Sequence, residues 1–190
     1  MLAKAELRKQ FLQKRKALSL SESALFNSSI ADYFKDLFGK KPTSNVHIFL
    51  PIQKHHEINT WPIIRFLWKS DVKVIVSSAD FENINLKHFI LSESTKLIEN
   101  KWGIPEPINA DPFPIPKIEM VLVPLLAFDA EGYRVGYGKG FYDKFLEACN
   151  PSTVKVGLSF FELVDQIKVD SHDVKLDFCI TPKKIYQFNE

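Results

Sequence analysis

Apolar residues recur along this chain with two periods, and stretches of one alternate with stretches of the other. Leu7, Phe11, Leu12, Arg15 and Leu18 follow helical spacing, so residues 2–18 are expected to form a first helix. Ser19 and Glu22 stand at capping-box spacing. They open a second helix that carries Ala24, Ile30, Phe34 and Leu37 toward a stop at Gly39. Residues 46–50 read as a short strand closed by Pro51. Asn59 or Thr60 can cap a helix through Ile63, Ile64, Leu67 and Trp68. Strands are expected over residues 72–77 and 86–91, and a buried one over residues 120–126. A helix from about residue 140 to residue 149 comes next, then strands over residues 154–159 and 178–181 and an edge segment over 185–188.

Residues 99–118 hold five of the eleven prolines and are expected to be extended loop. Elsewhere strands and helices alternate. That order predicts an α/β three-layer sandwich, with a largely parallel central sheet and helices on both faces, formed by residues 1–190 as a single domain. Ligands in such folds gather at the carboxyl ends of the strands.

Composition narrows the class. The chain is 45% hydrophobic and 25% charged with a net charge of +2, values of an ordinary globular protein with no basic field suited to nucleic acid. Its N-terminus is charged at once and lacks an apolar signal core. The longest apolar run, residues 120–128, spans nine residues and is too short to cross a membrane. We therefore expect a cytoplasmic protein, a monomer, with small molecules as partners and neither nucleic acid nor membrane among them. Cys149 and Cys179 lie too far apart in sequence for a CxxC motif and are expected to be buried small hydrophobes.

Candidate chemistry concentrates in residues 121–146. Four of the seven glycines (Gly132, Gly136, Gly138 and Gly140) fall within nine residues, between an apolar run and an amphipathic one. A strand, a flexible loop and a helix start suit phosphate: glycines let the backbone approach an anion, and the free N–H groups of the helix start attract it. The G-x-G-x-G spacing is neither the dinucleotide fingerprint nor a Walker loop. Arg134 can grip phosphate bidentately and Lys139 can act as a mobile point charge. A solvated surface turn is the plainer alternative. Asp143 follows the loop, and beside polyphosphate a carboxylate makes sense through a cation such as magnesium. Asp173 is a second candidate. Lys4 and Arg8 share a helix face. Glu57 follows the first strand at a place suited to orienting a substrate. Trp102 suits either stacking on a flat heterocycle or the core. Gln166 suits either the surface or a pocket, and the adjacent His55 and His56 are read as loop residues.

Together these segments resemble the 5-formyltetrahydrofolate cyclo-ligase family, also called 5,10-methenyltetrahydrofolate synthetases. The resemblance is carried by LVPLLAFD at residues 122–129 and by GYRVGYGKGFYD at residues 132–143. Lys4, Leu7, Arg8, Glu57, Ile58, Thr60, the GIPEP run at 103–107, His172, Asp173 and Thr181 support it in the family's order along nearly the whole chain. Lys144, where an Arg often stands, and a longer, His-rich segment at residues 51–56 depart from the pattern.

The resemblance implies an enzyme that uses ATP, with Mg²⁺ as cofactor, to convert 5-formyltetrahydrofolate to 5,10-methenyltetrahydrofolate. ATP would be held by Lys4, Arg8, Arg134, Gly136, Tyr137, Gly138, Lys139, Gly140, Phe141 and Tyr142. Arg134 and Lys139 would serve catalysis, and Asp143 and Asp173 would ligate the metal. Folate would meet Leu50, Glu57, Trp102 and the loop from Tyr137 to Phe141. A folate-sequestering module, or a relative of the sugar-phosphate isomerases and coenzyme A transferases without ATP, are the other readings. The first has no need of a triphosphate site.

Overall fold

The computed structural model describes residues 3–188. The N-terminal helix α1 (Lys4–Lys16) and the longer α2 (Leu20–Lys40) are joined at Ser19. Its hydroxyl accepts from the Glu22 N–H while the Glu22 side chain takes the Ser19 N–H, a complete capping box. α2 runs through Gly39 to Lys40. Residue 2, which the periodicity includes in α1, lies outside the described residues. β1 (Asn45–His47), α3 (Trp61–Lys69) and β2 (Lys73–Asp80) form the first strand–helix–strand unit. At the start of α3 the Asn59 side chain receives the Trp61 N–H at 3.1 Å, whereas the Thr60 hydroxyl turns back to the carbonyl of Phe49 at 2.8 Å.

β3 (Asn85–Ile90) returns antiparallel to β2. The expected proline loop is partly strand: β4 (Lys96–Glu99) and β5 (Pro105–Ile108) pair as a two-stranded ribbon. Pro105 and Pro107 sit opposite Glu99 and Leu97, while the Asn100 N–H bonds to the Ile104 carbonyl at 3.0 Å. The ladder bonds thus fall at alternate positions, and both prolines occupy places that need no N–H. β6 (Met120–Pro124) ends earlier than expected. A small antiparallel pair, β7 (Ala127–Phe128) and β8 (Arg134–Val135), intervenes before α4 (Phe141–Ala148). The buried Asp129 holds that hairpin's turn, accepting from the N–H groups of Glu131 and Tyr133 at 3.0 Å. β9 (Val154–Leu158), β10 (Phe178–Ile180) and β11 (Ile185–Gln187) complete the chain.

The central sheet has the order β11-β10-β9-β6-β1-β2-β3. β10, β9, β6, β1 and β2 run parallel, and β3 and β11 are antiparallel edges. Alternation along the strands sorts the core. Val46, Ile48, Val74, Val76, Met120 and Leu122 face α2 and α3, whereas Ile75, Val121 and Val123 face Phe145 and Leu146 of α4. Both cysteines are free and buried. α1 packs on the β7–β8 hairpin through Leu7, Phe11, Ala127 and Val135. The sheet order reverses at β1, which has β2 on one side and β6 on the other. Such a switch point opens a crevice at the strands' carboxyl ends.

Candidate active site

A cleft of about 520 Å³ occupies that crevice. Its floor is the chain just past β1 (Phe49, Leu50), the end of β2 (Ser77, Ala79) and Pro124 at the end of β6. The structure brings every residue singled out above for ATP, metal or folate into its wall. Lys4 and Arg8 come from α1, Glu57 from the β1–α3 connection, and Trp102 from the β4–β5 connection. Arg134, Gly136 to Asp143, and Asp173 form the remaining side.

One end is ionic. The Lys4 ammonium lies 2.7 Å from Asp170 and 2.5 Å from Asp173. Burial opposes its charge, but these two carboxylates outweigh burial and hold its pKa above the ordinary value. Arg134, only 7% exposed, lies 2.6 Å from Asp143 and also donates to the Val174 carbonyl. Burial pulls its pKa down, and Asp143 opposes that. Arg8 donates to the Gly136 carbonyl at 3.0 Å, and its guanidinium lies against Gly138. The Gly138 φ of +87° is left-handed and favours glycine, and a Cβ there, 2.9 Å from the guanidinium carbon, would push Arg8 aside. Lys139 is exposed at the loop's apex. Of the expected metal ligands, Asp173 forms a cluster with Asp170 and His172, their ligand atoms within 4.8 Å of one another. Asp143 is joined to the same corner through Arg134 and, at 3.5 Å, the Val174 N–H. Carboxylate oxygens are the donors magnesium prefers, so Asp170 and Asp173 fit it, while Asp143 stands outside their cluster.

The other end is built around Glu57. Its Oε1 accepts from the Tyr137 hydroxyl at 2.5 Å and its Oε2 from the Ile52 N–H at 2.8 Å. Burial raises its pKa, while Tyr137, Ile52 and Arg15 act to lower it. Tyr137 also accepts from Arg15 at 2.8 Å, and the His55 ring packs on it at 5.2 Å. Trp102 is 48% exposed, which removes the core alternative. It packs beside Phe81, which in turn meets Phe141 edge-on. Gln166 is exposed and reaches Glu131, away from the cleft.

Sequence reasoning missed three groups. Asp170 is recognisable only once Lys4 is seen to reach it across the fold. Arg15 had a signal, since it continues the apolar stripe of Leu7 and Phe11, where a charge is out of place. Beneath the floor, Ser77 joins His47 at 2.7 Å and His88 at 3.0 Å. Burial keeps both rings neutral, with the His88 pKa down to about 4.

Comparison with known proteins agrees with this geometry. A model of the 5-formyltetrahydrofolate cyclo-ligase family matches residues 1–182. The 5-formyltetrahydrofolate cyclo-ligase of Escherichia coli K12 is 31% identical over 137 residues, 70% of this chain and 75% of the relative. The Mus musculus protein of the same name is 28% identical over 92% of this chain and 91% of its own. The solved structure of Aquifex aeolicus 5,10-methenyltetrahydrofolate synthetase superposes with a TM-score of 0.84 at 28% identity, covering 98% of this chain and 93% of the other. The Mycoplasma pneumoniae synthetase gives 0.76 at 26% identity, covering 93% and 97%. Fold, cleft and sequence thus converge: the chain belongs to the 5-formyltetrahydrofolate cyclo-ligase family and is an enzyme.

Proposed function

We propose that this protein uses ATP to convert 5-formyltetrahydrofolate to 5,10-methenyltetrahydrofolate, with ADP and phosphate released. Membership of the family supports the overall conversion. The observation that carries the rest is the make-up of one cleft. Lys4, Arg8 and Arg134 converge at one end and the lone carboxylate Glu57 stands at the other. Tyr137, on the glycine loop, links the two.

Amide resonance makes the formyl carbon a poor electrophile. Transfer of the γ-phosphoryl group to the formyl oxygen turns that oxygen into a leaving group. N10 of the folate then attacks the carbon, phosphate departs, and N10 loses its proton. Such transfer needs positioning and charge neutralisation rather than a protein nucleophile. Lys4 and Arg134 provide the neutralisation, each exchanging carboxylate oxygens for those of the phosphates. Lys139, exposed on the loop, adds a point charge. The loop N–H groups and the start of α4 complete the cradle. Bound Mg²⁺ would supply further neutralisation of the polyphosphate, with Asp143 and Asp173 to hold it and Asp170 beside Asp173. Glu57 holds and orients the folate, and Trp102 and Phe81 flank its flat rings.

The test is direct. Protein mixed with 5-formyltetrahydrofolate, ATP and Mg²⁺ should generate the near-ultraviolet absorbance of the methenyl product, and omitting ATP should abolish it. Folded protein that yields no such absorbance at several concentrations would refute the proposal.

A further inference from the structure

The side chain of this region whose presence demands a reason is Arg15. It sits on the inner stripe of α1 with Leu7 and Phe11 and is 4% exposed. A buried guanidinium is costly unless its charge is answered. Yet both groups it reaches are neutral: Nη1 donates to the Tyr137 hydroxyl at 2.8 Å and Nη2 to the Leu125 carbonyl at 2.6 Å. Nε has no partner among the described residues. A residue that only closed the stripe would be apolar.

The charge finds its answer one hydroxyl further on. Arginine can only donate, so the Tyr137 oxygen is the acceptor of that bond. Its single hydrogen then points to Glu57 Oε1, 2.5 Å away. The chain Arg15 to Tyr137 to Glu57 therefore has one direction, and an arginine at its head polarises the hydroxyl toward the carboxylate. Each Glu57 oxygen receives one protein donor, Tyr137 or the Ile52 N–H, and keeps acceptor capacity for a ligand in the cleft.

We propose that Arg15 is a positioning residue for the folate end of the cleft. Without touching substrate, it fixes the Tyr137 hydroxyl as a donor and so sets the orientation and ionisation of Glu57. The inference rests on the reading of Glu57 as the carboxylate that holds folate. The titratable groups around Glu57 are Arg15, Tyr137, Tyr142 and, against the Tyr137 ring, His55. Burial pushes both tyrosines up and His55 down.

Calorimetry of 5-formyltetrahydrofolate binding without nucleotide tests this apart from turnover. Arg15→Met should weaken folate binding about tenfold. It should also move the acid limb of the affinity profile to higher pH, because Glu57 loses a cation that favours its charged form. Mg-ATP affinity should stay within about twofold. Lys4 and Arg8 ride on the same helix, so a merely structural role would weaken ATP and folate together and leave the acid limb in place. That result would overturn the inference. Arg15→Gln keeps hydrogen-bonding capacity while removing the charge. Should Arg15→Met not fold, an unmoved acid limb in Arg15→Gln is equally fatal. Tyr137→Phe should shift the limb in the same direction, and adding Arg15→Met to it should cost less than Arg15→Met costs alone. Glu57→Gln separates the two layers. If it leaves folate affinity unchanged, the reading of Glu57 fails and the inference with it. If it weakens folate binding while the Arg15 variants bind as wild type, only the inference falls.

Discussion

The two ends of the cleft hold their charges by opposite means. At the ionic end Lys4 is matched to Asp170 and Asp173, brought from far along the chain, and Arg134 to Asp143, nine residues on, while Arg8 donates to the Gly136 carbonyl. At the other end Glu57 is held by a phenol and a backbone N–H, with the nearest cation one hydroxyl removed. The difference concerns what a ligand must displace. A salt bridge offers both partners to new ones, so a polyphosphate can take the cations and a metal ion the carboxylates, leaving no charge buried alone. A carboxylate caged by neutral donors keeps its donors and presents its remaining lone pairs, which suits fixed recognition of N–H groups on a heterocycle. On the proposed reading one end exchanges partners when ligand binds and the other does not.

The largest test of this contrast is Arg134→Met. On the proposed reading, loss of this desolvated guanidinium should weaken ATP binding about a thousandfold, about 4 kcal/mol. It should also lower stability by about 3 kcal/mol, because Asp143 loses its buried partner. The double variant Arg134→Met/Asp143→Leu should recover the stability but not the ATP affinity, measured by urea unfolding and calorimetry. A double variant that binds ATP normally would show that the pair only braces the fold.

Glu57→Gln comes next. It should weaken folate binding about thirtyfold, about 2 kcal/mol, and leave ATP binding alone. A matching loss at both ends would mean that the cleft does not divide as described. Lys4→Met is smaller. Its ammonium is a flexible point charge with a side chain 14% exposed, so ATP affinity should fall about tenfold. That loss should shrink as salt is raised, which titrations at two ionic strengths would detect.

How much of this was legible in the residues follows from how local each feature is. The glycine segment, the strand before it and the capping box at Ser19 are contiguous, so their chemistry could be read in order. The parallel sheet followed from alternation. The β4–β5 ribbon was hidden because prolines argue against strand unless both fall at positions without ladder bonds, and that depends on register. The His47, Ser77 and His88 cluster depends on register again. Ser77 faces His88 across β2 and β3, and His47 pairs with Ile75 two residues earlier on the same face. Asp170 required the path of a loop. Arg15 was visible as a charge on an apolar stripe, but its meaning needed Tyr137 to arrive from 122 positions away.

The smallest expected effect bears on the end that keeps its partners. Glu57 is a carboxyl group whose pKa burial has raised, with Tyr137, Ile52 and Arg15 restraining the rise. A raised acid pKa means that protonation begins at a higher pH than for an ordinary glutamate, and the protonated form loses acceptor strength. Folate affinity should therefore fall as pH drops through the Glu57 pKa, by no more than about tenfold per pH unit. Titrating folate itself over the same range gives a background, and Glu57→Gln isolates it because glutamine does not ionise. The wild-type profile divided by the glutamine profile should keep an acid limb. A flat ratio would mean that Glu57 does not meet the folate in its charged form, and the contrast between the two ends would then reduce to geometry alone.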